Sequence, residues 1–192
     1  MATKAKIRYV FPATELLWVN IINPDSKFDP ANPKFQVSMK YDAATGRKVI
    51  AELEDKVPQF KGKIKVKRDN DDNFIFKAVQ RQKITWAGGS KVATFTPVVL
   101  MKDGDGAIKY EGSEPWSGSI GEVAVVLEEA KTATGTTLAI RLNGVRLHEV
   151  KTGGDGGSNG GDPLFGPTST MTEGGVAEEE EHPFEDDEPA FN

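Results

Sequence analysis

Residues 137–150, TLAIRLNGVRLHEV, decide how this chain folds. The apolar side chains from Leu138 to Leu142 fall at every second position, which is the pattern of a β-strand with one buried face. Val145 and Leu147 continue the alternation in the opposite phase, and this change of phase predicts a β-bulge at Asn143-Gly144. A long strand that changes phase in its middle bends strongly, and bent strands favour a small closed barrel over a flat sheet.

Strand patterns also dominate the rest of the first 150 residues. Short apolar, β-branched and aromatic runs between turn residues predict further strands. They are Ile7 to Phe11 interrupted at Pro12, Leu16 to Ile22 closed by the turn Asn23-Pro24-Asp25, Phe35 to Met39, Lys61 to Arg68, Phe74 to Lys83, Lys91 to Lys102 and Val123 to Leu127. The continuous apolar run Val98 to Met101 predicts burial on both faces of its strand.

One segment has helical rather than strand spacing. Val49, Leu53 and Val57 recur on one face, Asp42 can cap the first turn, and Pro58 stops the helix. Five or more bent strands with one helix in about 150 residues predict a mainly β fold built on a small barrel.

Charge divides the chain into two parts. Residues 1–150 contain 23 Lys and Arg against 18 Asp and Glu, whereas residues 151–192 contain one Lys and 11 acids. We expect a folded domain in 1–150, a flexible Gly-rich linker in 151–177 and a solvated acidic tail in 178–192. A basic domain tethered to its own polyanion predicts a polyanionic partner, with nucleic acid the leading candidate and the tail as its competitor.

Composition excludes several classes of protein. The chain has no Cys, which removes disulfides, thiolate catalysis and Cys-ligated metal sites. No apolar stretch approaches the roughly 20 residues needed to cross a membrane, and residues 1–9 lack the features of a secretory signal. We therefore expect a soluble, cytoplasmic protein with no membrane partner and no cofactor.

Catalytic and metal motifs are also missing from the pattern. His148 and His182 supply neither a catalytic triad nor a zinc set. The acidic clusters Asp69 to Asn73 and Asp103 to Gly106 fit turns between strands better than metal-binding loops. We do not expect an enzyme.

The predicted hairpin from Lys61 to Lys83 carries the sharpest basic pattern. Its first strand alternates lysines with small or apolar residues, which places four ammonium groups on one face: Lys61, Lys63, Lys65 and Lys67. On the second strand, Lys77, Arg81 and Lys83 share one parity. Such a stripe could bind the phosphate backbone of a nucleic acid. The alternative is an edge strand whose lysines prevent aggregation with other chains.

Aromatic side chains lie near this stripe in the sequence. Trp86 and Trp116 stand among Gly, Ser and Pro residues, which favours exposure, and Tyr41 is a further candidate for stacking. Proteins that bind single strands combine a positive groove with aromatic faces on which bases stack. A place in the core is the alternative, and it is favoured for Phe74, Phe76 and Phe95.

The end of the chain, residues 183–192, reads PFEDDEPAFN. Two phenylalanines within a polyanion predict a hook for partner proteins, in which Phe fills a pocket and the acids meet a basic rim. Its residues are Phe184, Glu185, Asp186, Asp187, Glu188 and Phe191. The alternative is a tail that only confers solubility.

Four stretches of the chain, in the order in which they occur, carry a resemblance to a known protein family. They are the first strand running into Ile22-Asn23-Pro24-Asp25, the strand Phe74 to Lys77 after an acidic turn, Pro97 to Asp103 followed by Ser117 to Gly121, and Gly135 to Val145. Together with the acidic tail, they resemble the replication single-stranded-DNA-binding proteins of short-tailed, podovirus-type phages. The resemblance covers essentially the whole chain.

This resemblance implies an OB-fold-like five-stranded barrel, one helix after the second strand and a disordered acidic C-terminal tail. It implies coating of single strands in phage DNA replication, recombination, repair and annealing, in the cytoplasm of the infected bacterial host. It further implies tail contacts to the replicative DNA polymerase and the primase-helicase, and a homodimer.

The chain departs from this pattern in two places. The strand after Gly121 begins without lysines, which moves the expected phosphate contacts to the hairpin and to Lys4, Lys6 and Arg8. The chain ends in Asn192, so that the aromatic Phe191 is penultimate.

Two functional hypotheses follow. The first is a sequence-tolerant, non-catalytic single-stranded-DNA-binding protein, and the second is a β-rich phage structural or assembly protein with a solubilising tail. The candidate DNA-binding residues are Lys4, Lys6, Arg8, Tyr41, Lys61, Lys63, Lys65, Lys67, Arg68, Lys77, Arg81, Lys83, Trp86 and Trp116.

Overall fold

A computed structural model describes residues 6–27, 29–64, 66–85, 92–132 and 135–152. These residues form ten strands and one α-helix: β1 (Ile7–Asp25), β2 (Lys34–Tyr41), α1 (Ala43–Lys56), β3 (Lys67–Arg68), β4 (Phe74–Arg81), β5 (Lys83–Thr85), β6 (Val92–Thr94), β7 (Val98–Asp103), β8 (Gly106–Lys109), β9 (Ile120–Thr132) and β10 (Gly135–Glu149). A single 3-10 turn, Pro58–Phe60, follows the helix. In the described part of the chain, no helix is long and apolar enough to cross a membrane.

The five longest strands form the body of the fold. β1 pairs antiparallel with both β2 and β9, β2 pairs with β4, and β9 pairs with β10. β10 also lies against β4, so the five strands curl into a barrel in the order β4-β2-β1-β9-β10. The predicted five-stranded barrel, with its helix after the second strand, is confirmed. Among the short strands, β3 extends this sheet beside β4, and β7 and β8 extend it beyond β10, whereas β5 and β6 form a separate two-stranded sheet.

The core lies between the inward faces of these strands and the helix. On β2 the side chains from Phe35 to Tyr41 alternate, and those at odd positions are buried in the core, where Met39 lies opposite Phe76 of β4. The helix covers one end of the barrel with Val49 and Leu53. Phe74 and Phe76 are both buried, as the core alternative predicted.

The helix begins and ends where the sequence predicted. The Asp42 carboxylate accepts hydrogen bonds from the backbone N–H groups of Ala44 and Thr45 at 2.8 and 2.9 Å, which satisfies two free donors of the first turn. At the other end, Pro58 lacks the N–H group that would continue the helix. Gly46 allows α1 to pack closely, because a Cβ atom there would lie 2.5 Å from the Phe74 ring.

The bulge predicted in β10 is confirmed. Its pairing with β9 shifts register between Leu142 and Gly144, so that Leu142, Val145 and Leu147 all reach the core despite their opposite phases. The bulge also admits β7, whose Val98 carbonyl oxygen would lie 2.7 Å from a Cβ atom at position 144.

The predicted strand from Lys61 to Arg68 is wrong except for its last two residues. After the 3-10 turn, Lys63 N–H donates to the Phe60 carbonyl at 2.8 Å, and Gly62 has a φ of 69°, so the chain turns twice instead of extending. Among the described residues of this range, only Lys67–Arg68 forms a strand, paired with β4. A stripe of four lysines on one strand face therefore does not form.

Three further strand predictions need correction. The run Val98 to Met101 is not buried on both faces, because β7 lies outside the barrel and Val98 is 59% exposed. The predicted strand from Lys91 divides into β6 and β7, since the residues around Pro97 leave the ladder. The predicted breaks at Pro12 and at Asn23 to Asp25 do not divide the first strand. The register between β1 and β9 shifts around Pro12, but β1 continues through it to Asp25, which pairs with β2.

Candidate nucleic-acid interface

An open groove of about 1210 Å³ crosses the outward face of β2 and β4. The strand order decides which side chains face each other across it. Lys67 and Arg68 on β3 and Lys77 on β4 form one side, whereas Trp18 on β1 and Trp116 before β9 form the other. Gln36 and Ser38 of β2 form the polar floor between them.

The basic side brings three cations together, beside Asp69. Partial burial lowers the pKa of Lys77 below its ordinary value, and the charges of Lys34 and Lys67 lower it further. A phosphate group in this position would relieve that repulsion. Arg68 packs over the Phe74 ring at 4.2 Å and pairs with Asp72, so its guanidinium group has a fixed place at the groove edge.

Trp18 faces the groove because β1 is irregular there. The β1–β2 register shifts between Leu17 and Asn20, and Trp18 has a φ of 46°, in the left-handed region that bulky residues avoid. The buried side chains are therefore Leu16, Val19 and Ile21, and Trp18 is 62% exposed. Backbone strain of this kind costs about 1–3 kcal/mol and occurs preferentially at functional sites.

Trp116 is 58% exposed, as its sequence surroundings predicted. Its backbone N–H donates to the Lys151 carbonyl at 2.7 Å, just beyond the end of β10. The neighbouring Ser117 Oγ accepts a hydrogen bond from the Trp18 N–H at 3.0 Å. The loop that carries one exposed indole is thus bonded to the strand that carries the other.

The structure divides the predicted basic residues among several places. The groove brings together Lys67, Arg68, Lys77 and Trp116. A second groove of about 820 Å³ contains Lys6, Arg81 and Lys83. Lys61 and Lys63 lie in the turn after the helix and do not line the first groove, and Arg8 is exposed on β1 outside both grooves.

The stacking role predicted for Tyr41 is wrong. Tyr41 is only 4% exposed, its hydroxyl donates to the Pro12 carbonyl at 2.6 Å, and its ring packs against Phe76. Burial raises the pKa of its hydroxyl above the ordinary value, as expected in an apolar core. No base can reach the face of this ring in the folded protein.

Several predicted site residues lie outside the described part of the chain. They are Lys4, Lys65, Trp86 and the tail residues Phe184, Glu185, Asp186, Asp187, Glu188 and Phe191. Their roles stay predictions, as do the linker and tail boundaries at 151–177 and 178–192.

Sequence reasoning missed Trp18, Lys34 and Arg141. Trp18 stands within an apolar run, where its neighbours indicate a buried strand, and no sequence pattern reveals the left-handed φ that turns it outward. Arg141 reaches the second groove from β10, far from the predicted hairpin in sequence. Among the described residues, no group of three or more His, Asp or Glu side chains could hold a metal ion.

The barrel order and the outward groove define this domain as an OB-fold, a partly open five-stranded barrel. No family model and no curated protein matches the sequence. Among solved structures, gp2.5 of bacteriophage T7, a single-stranded DNA-binding protein, is similar over 91% of this chain and 100% of its own, with a TM-score of 0.59 and 19% identity.

The single-stranded DNA-binding protein of bacteriophage Enc34 has the same kind of fold. Its complex with single-stranded DNA is similar over 76% of this chain and 88% of that one, with a TM-score of 0.55 and 9% identity. A C-terminal truncation of the Enc34 protein gives a TM-score of 0.53 at 11% identity, over 76% of this chain and 87% of that one. The predicted resemblance to phage single-stranded-DNA-binding proteins is confirmed at the level of the fold.

Proposed function

We propose that the chain binds single-stranded DNA in the groove over β2 and β4, without strong sequence preference and without catalysing a reaction. The observation that carries this proposal is the pair of exposed indoles, Trp18 and Trp116, across the groove from Lys67 and Lys77. Bases of any identity can stack on indoles, each contributing about 1–3 kcal/mol, while the basic side neutralises phosphates.

The position of the groove supports the same function. OB-folds bind oligonucleotides on the face of their second and third strands, which are β2 and β4 here. The Enc34 protein, whose fold is similar, was solved in complex with single-stranded DNA. Double-stranded DNA stacks its bases internally, so it would gain nothing from the indoles.

The bound strand can extend beyond this groove. Asp25 borders the groove and also a smaller cavity lined by Lys34, Arg81 and Arg141. Arg81 and Arg141 in turn border the second groove, with Lys6 and Lys83. The cations of these neighbouring cavities would follow the sugar-phosphate backbone over several nucleotides. Acidic residues also line them, Asp29 in the smaller cavity and Glu128, which pairs with Arg141 at 3.5 Å, in the second groove.

The wider role that we propose is in phage replication. In the cytoplasm of an infected bacterium, the domain would coat single strands during DNA replication, recombination, repair and annealing, either alone or as a homodimer. The 11 acids after residue 150 would compete with DNA for the basic groove, and the aromatic end of the tail would recruit the replicative DNA polymerase and the primase-helicase. The resemblance and the charge division support this role.

A fluorescence titration tests the DNA-binding proposal. Oligo-dT should quench the tryptophan emission in a saturable manner at low salt, whereas a duplex of equal length should have a much smaller effect. The absence of any response to oligo-dT at low salt would contradict the proposal and would favour a structural or assembly protein.

A further inference from the structure

Glu114 lies two residues before Trp116 and lines the same groove. Its carboxylate accepts hydrogen bonds from three consecutive backbone N–H groups of β1: Ile21 at 2.6 Å, Ile22 at 3.0 Å and Asn23 at 2.5 Å. Successive N–H groups of a regular strand point in opposite directions, so three that converge on one anion mark an irregular backbone. The β1–β2 register indeed shifts in this segment.

Glu114 is one of three acidic residues that line the groove, with Asp25 and Asp69. A free negative charge there would repel phosphate groups and weaken binding. Convergent backbone N–H groups form an anion-binding concavity, however, and Glu114 fills the one that β1 presents. Hydrogen bonds to an ionised acceptor are stronger than those between neutral groups, so the charge of Glu114 serves to attach its loop to β1.

Further hydrogen bonds attach the same loop to β1 at Trp18 itself and at Leu16. Ser117 Oγ accepts from the Trp18 N–H at 3.0 Å, and the Gly118 N–H donates to the Leu16 carbonyl at 2.8 Å. Trp116 lies between these attachments and the Glu114 carboxylate. Its backbone is therefore held at both ends against the strand that carries Trp18.

We propose that Glu114 is a positioning residue for base stacking, which holds Trp116 in register with Trp18. This inference rests on the proposed function, because it concerns the same groove. Glu114 contacts no DNA in this arrangement and acts through Trp116. Electrostatic repulsion alone predicts the opposite sign for its removal, namely tighter binding.

The test is a double-mutant cycle with oligo-dT. Glu114→Gln keeps the size of the side chain but replaces one acceptor oxygen by an NH₂ group that cannot accept from the β1 amides. In the presence of Trp116, we expect this change to weaken binding about 3- to 10-fold, which is part of the value of one stacked base. In a Trp116→Ala background, the same change should alter affinity by less than about 2-fold, since the group it positions is gone.

Glu111→Gln is the matched control. Glu111 has the same charge, lies three residues earlier and pairs with the exposed Lys109. It should leave affinity unchanged or slightly raise it. Thermal unfolding of every variant shows whether the fold is intact. If Glu114→Gln unfolds, Glu114→Asp replaces it, because its carboxylate keeps the charge but is one methylene shorter and cannot keep all three bonds to β1; it should show the same dependence on Trp116.

Each outcome separates the hypotheses. Tighter binding by Glu114→Gln with a steeper salt dependence would mean that phosphate takes the place of Glu114, and would overturn the inference. Equal losses with and without Trp116 would also overturn it. The absence of oligo-dT binding by the unaltered chain would overturn the proposed function together with this inference.

Discussion

Replacing Lys67 and Lys77 together by Ala should flatten the salt dependence of DNA binding. The strand order places both ammonium groups on the same side of the groove, and the pKa of Lys77 is lowered partly by Lys67, so the two lie close enough to act on one stretch of backbone. Each phosphate contact on a single strand contributes about −0.7 to the slope of log K against log salt, so losing two should make the slope shallower by about 1.4.

This change has a direct numerical consequence. A slope difference of about 1.4 means that the affinity gap between the unaltered protein and the variant narrows about 7-fold between 50 and 200 mM salt. Titrations with oligo-dT at four or more salt concentrations measure it. The matched control is Lys102→Ala with Lys109→Ala, which removes the same charge from β7 and β8, away from the groove.

Two results would refute this reasoning. The first is an unchanged slope in the groove variant, and the second is an equal change in the control, which would show a general charge effect. If Lys61→Ala with Lys63→Ala flattens the slope instead, Lys61 and Lys63 contact the phosphates, as the sequence predicted. These contacts would then come from the turn after the helix and not from a strand.

Three further predictions concern other parts of the molecule. Because Ala is strained at a φ of 46° and Gly is not, Trp18→Gly should be more stable than Trp18→Ala by about 1 kcal/mol in urea unfolding, while both lose affinity for oligo-dT with little change in salt slope. Deleting Val176 to Asn192 removes eight acids and changes the net charge from −5 to +3. The truncated protein should bind DNA more tightly, most of all at low salt, and should no longer bind the polymerase. Equal DNA affinities of the full-length and truncated proteins at all salt concentrations would exclude a competing tail. Hydrogen bonds from Asn73 lower the pKa of Asp69 from 3.8 to about 2. The ionised Asp69 carboxylate therefore stabilises the fold fully above about pH 4, and this stabilisation is lost as the pH falls toward 2. In urea unfolding, the stability difference between the unaltered protein and Asp69→Asn should shrink over that range.

The sequence predicted the parts of the fold in which side-chain alternation follows burial. The strands β2, β4, β9 and β10 and the capped helix were found from spacing alone, and the bulge at Asn143-Gly144 was visible because the apolar phase reverses there. Each of these features depends on neighbours within a few residues. Burial and local chemistry therefore determine them together.

The errors arose where distant residues decide the conformation. Lys61 to Val66 alternates like a strand, but none of the described residues in this segment pairs with another strand, and the turn at Gly62 redirects the chain. Trp18 leaves the core through a bulge that its neighbours in sequence do not signal. The bonds from Glu114 to β1 join residues more than 90 positions apart, and no local pattern predicts them.

The proposed phosphate contacts and the proposed stacking contacts lie on opposite sides of β2. Their separation affects how a bound DNA strand would dissociate. Lys77 on β4 and Trp18 on β1 are two strand spacings apart, about 10 Å, so a nucleotide can lose its phosphate contact while its base stays stacked, or the reverse. Release then proceeds through partly bound states that expose one vacant side to a competitor. We expect a second DNA strand to accelerate the dissociation of the bound DNA strand. The rate of exchange between two DNA strands should therefore exceed the rate of spontaneous dissociation.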